Sequence, residues 1–188
     1  TATEFVGWYN GHPDFQDRRF DLDQDAAAVV GVGNVAMDVT RILASDPDDL
    51  AKTDIAAHAL EALRASRVRT IYLLGRRGPA QAAFTNPERK ELGELPLADV
   101  IVRAEDLELD AATKASLEAT PDREAEKNLK TLRAFQERGP RGLAHLHLGA
   151  LGDVRREDDA AVVLAVAHRG AQVEAGGVGR VRVRGGFG

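Results

Sequence analysis

The chain has 188 residues, 44% of them hydrophobic, a formal net charge of −5 and no cysteine. That is enough for one large domain, or a domain with an appendage, around a real core. The charge excludes the basic field of a nucleic-acid binder, the missing cysteines exclude disulfides, thiolate catalysis and cysteine-held iron–sulfur clusters within the chain, and no apolar run is long enough to span a membrane. A cytoplasmic protein is expected.

Residues 1–25 read as a turn-rich aromatic arm, Phe5-Val-Gly-Trp-Tyr-Asn-Gly-His-Pro-Asp14, running into the acidic loop Asp21-Leu-Asp-Gln-Asp25. Large aromatics at a terminus ordinarily anchor it on a core; a wall for a bound cofactor is the sharper alternative. His12 reads as a turn residue rather than an acid–base catalyst. An apolar run, Ala26–Val30, then predicts a buried strand, and Gly31-Val-Gly33-Asn-Val-Ala36 leads straight into a pattern of helical spacing. A strand that turns on two glycines into a helix forms a phosphate cradle: the first glycine allows the turn, the second allows close approach, and free N–H groups at the helix start face the phosphates. Gly31 is the candidate for the turn and Gly33 for the close approach, while Ala36 in the third place keeps the helix packed against its strand.

Pro47 suits a helix start, and a helix over residues 55–63 is expected with Thr53 or Asp54 as its cap. Residues 68–74 read as a second buried strand, completing a βαβ unit with an enlarged crossover. Gly75-Arg-Arg-Gly-Pro79 follows. NAD-binding sheets place an acid there for the ribose hydroxyls. Here Arg76 and Arg77 stand instead, and a guanidinium fork suits the oxygens of a 2′-phosphate. The pair argues for NADP(H), against the alternative of a solvated basic turn. Pro87 at a helix start makes Glu88 and Glu91 early-turn acids that suit the helix dipole. Residues 99–102 suggest a third strand. Residues 121–138 form an amphipathic helix with Ala125, Leu129, Leu132 and Phe135 on one face. From residue 143 the pattern turns β-rich, with strands expected at 143–148, 160–166 and 178–183. His145 and His147 share a strand face, but no third ligand of suitable spacing accompanies them, and no metal site is assigned.

Four stretches, Phe5-Val-Gly-Trp-Tyr-Asn-Gly-His-Pro-Asp14, Gly31-Val-Gly-Asn-Val-Ala-Met-Asp38, Gly75-Arg-Arg-Gly-Pro79 and Gln81-Ala-Ala-Phe-Thr85, together resemble the adrenodoxin-reductase-type ferredoxin–NADP reductases. These are FAD enzymes of glutathione-reductase-like architecture, and the likeness covers roughly residues 1–138. It implies that Val32, Gly33, Asn34 and Val35 bind the pyrophosphate, that Arg76 and Arg77 bind the 2′-phosphate, and that Glu88 lies near the NADP. Asn86-Pro87 departs from the family's helical segment, which bears on how Glu88 is aimed. The family's FAD fingerprint and its C-terminal return to the FAD fold have no counterpart here. The resemblance therefore implies an α/β, Rossmann-like NADP domain from a longer FAD/NADP enzyme. Its expected division is an arm (1–25), a core (26–142) and a β-rich end (143–188). Its expected partners are the FAD domain and a ferredoxin or similar electron carrier. No catalytic residue is assigned, and the isolated domain is expected to bind NADP(H) without turnover. The alternatives are the NADPH module of another flavoprotein, such as a glutamate synthase small subunit, and a stand-alone NADP-sensing domain.

Overall fold

The computed structural model describes residues 1–75, 78–83 and 91–139 with their side chains, and residues 144–150, 161–165, 171–176 and 180–185 as backbone. The chain opens on a helix, α1 (Ala2–Tyr9), where its glycines had suggested turns. A capping box starts it: the Thr1 hydroxyl accepts from the Glu4 amide at 3.3 Å, and the Glu4 carboxylate accepts from the Thr1 nitrogen at 2.6 Å. Phe5 and Trp8, three residues apart on one helical face, are both buried. Each meets Phe20 edge to face, with ring centroids 5.0 and 5.1 Å away. The aromatics of this segment thus pack into the core, and His12 accepts from the Asp14 amide in the turn that follows.

Strand β1 (Ala26–Val30) is buried at every position. That is what an unbroken apolar run needs: a central place in a parallel sheet covered on both faces. It pairs in parallel with β2 (Thr70–Gly75) on one side and with β5 (Ala161–Ala165) on the other. Beyond β2 lie β4 (Ala144–Ala150) and then β3 (Ala98–Val102), also parallel, so the order is β3-β4-β2-β1-β5. Two strands of the β-rich tail therefore complete the main sheet. The remaining two, β6 (Ala171–Gly176) and β7 (Arg180–Gly185), form an antiparallel hairpin.

Between β1 and β2 run α2 (Asn34–Ala44), α3 (Pro47–Leu50) and α4 (Ala57–Arg64). Asp46 caps α3 by accepting from the Asp48 amide at 2.8 Å, and Pro47 opens its first turn. Helix α4 begins two residues later than its sequence suggests. The Thr53 hydroxyl donates back to the Leu50 carbonyl at 2.7 Å instead of capping forward. Phe5, Val29, Met37, Leu63 and Leu73, from three helices and two strands, belong to one buried cluster.

After β3 come α5 (Ala111–Ala119), which buries no residue, and α6 (Arg123–Arg138), which buries Ala125, Asn128, Leu129, Leu132 and Phe135. Helix α6 packs against β3 and against a one-turn 3-10 segment, Pro79–Gln81. No helix of the described residues is long and apolar enough to cross a membrane. The whole is an α/β, Rossmann-like domain. The connection leaves β1 toward β2, while β5 lies on β1's other side. In such sheets the crevice outside the carboxyl ends at that reversal is where ligands bind.

Candidate functional site

Strand β1 delivers the chain to that crevice. At Gly31 the amide donates to the Leu74 carbonyl at 2.9 Å, which ties the turn to the end of β2. Its φ of +137° is one that L side chains rarely adopt, so glycine is required by the backbone itself. Gly33 presents a different case. Its φ of −109° and ψ of 177° are ordinary extended values. A Cβ built on Gly33 meets no atom of the described residues within 4 Å. Neither the dihedrals nor the packing of the described residues asks for a glycine at 33, and open space lies in front of it.

Gly33 is also the N-cap of α2. It provides no side-chain acceptor, and the first turn of α2 carries no acid. By contrast, Thr1, Asp46, Asp110 and Asp122 each accept from a first-turn amide of their own helix. The positive end of the α2 dipole is thus left without a side-chain cap or acid of its own at the mouth of the crevice. Helix α4 shares the lack of a side-chain cap, but its N-cap amide is taken by the Tyr9 carbonyl at 2.9 Å. Val35, in the first turn of α2, is 46% exposed beside the open space. A dinucleotide pyrophosphate fits this arrangement: it needs backbone donors, a helix N-terminus and a residue without a Cβ at closest approach.

A second segment walls the turn. Ala83, just past the 3-10 segment, donates its amide to the Val32 carbonyl at 2.9 Å, and Gly33 and Ala83 form an isolated parallel bridge. Behind it, the side-chain amide of Asn128 on α6 donates to the Ala82 carbonyl at 2.8 Å. Neither Ala83 nor Asn128 stands out in the sequence as a site residue. The available signal was a polar side chain at 128 within the spacing of 125, 129 and 132, on the buried face of an amphipathic helix.

The structure places Gly31, Val32 and Gly33 in the turn after β1 and Asn34 and Val35 in the first turn of α2. Arg76 and Arg77 directly follow β2 in the sequence; with Glu88 they lie outside the described residues. Glu91 is 3.4 Å from the Arg41 guanidinium of α2, which also reaches Asp38 at 3.3 Å. Burial, and then the Asp38 carboxylate, push the Tyr9 phenol up, so Tyr9 stays neutral near pH 7. His145 falls on β4 between Asp99 and Thr70 in register, and His147 between Ile101 and Tyr72; the two histidine side chains lie outside the described residues.

No protein-family model matches the chain. It is 48% identical to NADPH-ferredoxin reductase FprA of Mycobacterium tuberculosis over 140 residues, 74% of the chain and 30% of that relative. It is 54% identical to the mitochondrial NADPH:adrenodoxin oxidoreductase of Bos taurus over 96 residues, 51% of the chain and 20% of that relative. A solved structure of Mycobacterium tuberculosis FprA in complex with NADPH superposes with a TM-score of 0.71 at 36% identity, over 98% of the chain and 40% of the other. The chain thus spans well under half the length of these relatives. By fold and by these likenesses, it is homologous to a part of the adrenodoxin-reductase-type ferredoxin–NADP reductases.

Proposed function

We propose that the chain is the NADP(H)-binding domain of such a reductase, with residues 1–25 as its arm, 26–142 as its core and 143–188 as its end. The open space in front of Gly33 carries this reading most directly. A glycine that neither its backbone nor the packing of the described residues requires is explained by a pyrophosphate drawn against the main chain. Backbone amides of residues 32–35 at the start of α2 would hold that pyrophosphate. Arg76 and Arg77 would take the 2′-phosphate, and Glu88 would stand near the bound nucleotide.

The bound nicotinamide would supply the hydride chemistry, toward an FAD held by another domain of the reductase. This chain's residues bind and orient the nucleotide and contribute no reacting group. The names of the relatives, NADPH-ferredoxin reductase and NADPH:adrenodoxin oxidoreductase, support a ferredoxin-type electron carrier as the partner of the whole enzyme. Calorimetric titration of the chain with NADPH and with NADH tests the assignment. NADPH binds more tightly, and replacing Arg76 and Arg77 by alanine removes that preference, at about tenfold or more per charge-assisted pair. Equal binding of the two nucleotides to the unaltered chain argues against the 2′-phosphate role.

A further inference from the structure

We propose that Asn128 is a positioning residue for the nucleotide: through Ala82 and Ala83 it fixes the width of the pyrophosphate turn. This rests on reading the chain as an NADP(H)-binding domain. The observation behind it is a polar side chain where the helix should be apolar. Asn128 is 1% exposed, on the same face of α6 as Ala125, Leu129 and Leu132. A buried amide is costly unless its donors and acceptors are used. Its side-chain N–H goes to the Ala82 carbonyl, 46 residues away in sequence. The next amide in that segment, that of Ala83, donates to the Val32 carbonyl. Two hydrogen bonds in series therefore connect a buried position on α6 to the residue between the two glycines of the turn. The short segment 79–83 contributes no buried residue in its 3-10 turn. Its packing on α6 and, at Ala82, on the core is joined by these two bonds, which set its distance from the turn.

The amides of the turn can grip a pyrophosphate only when their donors converge, so a segment that drifts outward costs nucleotide affinity without unfolding the sheet. The clamp acts on the pyrophosphate turn alone. A probe with a 2′-phosphate and no pyrophosphate is indifferent to it.

The experiment measures binding of NADPH and of adenosine 2′-monophosphate to the unaltered chain and to two variants. Asn128→Asp keeps the shape and removes the donor. Ala83→Pro removes the amide that bonds Val32 at an exposed position, and Ala82, at φ −61° and ψ 128°, already has the extended conformation that precedes a proline. NADPH affinity falls about tenfold in each, the equivalent of one lost hydrogen bond, while adenosine 2′-monophosphate binds as it does to the unaltered chain. Unchanged NADPH affinity in Ala83→Pro overturns the clamp, and so does an equal loss for both probes, which marks a merely structural role. Failure of the unaltered chain to bind NADPH overturns the domain reading instead.

Discussion

Replacing Gly33 by alanine separates what the fold requires from what a ligand requires. The substitution puts a methyl group into space where no atom of the described residues lies within 4 Å, at dihedrals that alanine accepts. Alanine is a poorer N-cap than glycine by up to about 1 kcal/mol. Against that, restricting the unfolded chain returns roughly 0.4–1 kcal/mol. The two nearly cancel, and for a chain of this size a residual of about 1 kcal/mol moves Tm by only some 2–4 °C. Binding responds differently. A methyl at closest approach pushes the pyrophosphate away from the amides, and losing two charge-assisted hydrogen bonds at roughly 1.5–3 kcal/mol each weakens NADPH by about a hundredfold or more. Thermal denaturation followed by circular dichroism gives the first number, and calorimetry on the same sample gives the second. A Gly33→Ala chain that binds NADPH within about threefold of the original refutes the reasoning, because the space would then not be the ligand's.

The neighbouring glycine should show the reverse pattern. At φ +137°, Gly31→Ala is strained with or without ligand, and about 1–3 kcal/mol of stability is lost, visible as a Tm several degrees lower. Phe5→Ala removes a fully buried ring that packs on Trp8, Tyr9 and Phe20. It costs about 3–5 kcal/mol in chemical denaturation, and a loss below about 1 kcal/mol contradicts the core role of α1. The Asp110 carboxyl is held below its ordinary value because the Thr113 hydroxyl, and then its amide, donate to it. A depressed folded value means that this cap contributes fully above the unfolded carboxylate's range and is lost as pH falls through the folded one. NMR titration of Asp110 should place its midpoint below that of an unstructured aspartate, and a Thr113→Val chain should return it toward the ordinary value.

Strand β1 and its turn were legible because two independent signals coincide there, an unbroken apolar run and paired glycines before helical spacing. Helix α6 was legible through its apolar face. The misreadings have physical causes. The sequence signal for α1 was its capping box at Thr1 and Glu4, masked by Gly7 and by the turn residues that follow Tyr9. Helix α5 buries nothing, so it has no stripe to detect, only its Asp110 cap. Strand β6 alternates weakly and includes glycine and alanine. That β4 and β5 complete the sheet beside β2 and β1 is a matter of long-range pairing, which local periodicity does not encode. The reach from Asn128 to Ala82 escaped for the same reason: spacing places the asparagine on a buried face and says nothing of the segment it meets.

The central claim is that the amides at the N-terminus of α2 receive the pyrophosphate of NADPH. Backbone amide NMR of the chain titrated with NADPH tests it directly, with the N-terminus of α4, equally without a side-chain cap, as internal control. The account predicts saturable shifts at Gly33, Asn34, Val35 and Ala36 and none at residues 57–59. Saturable NADPH binding that leaves residues 33–36 unmoved would contradict it.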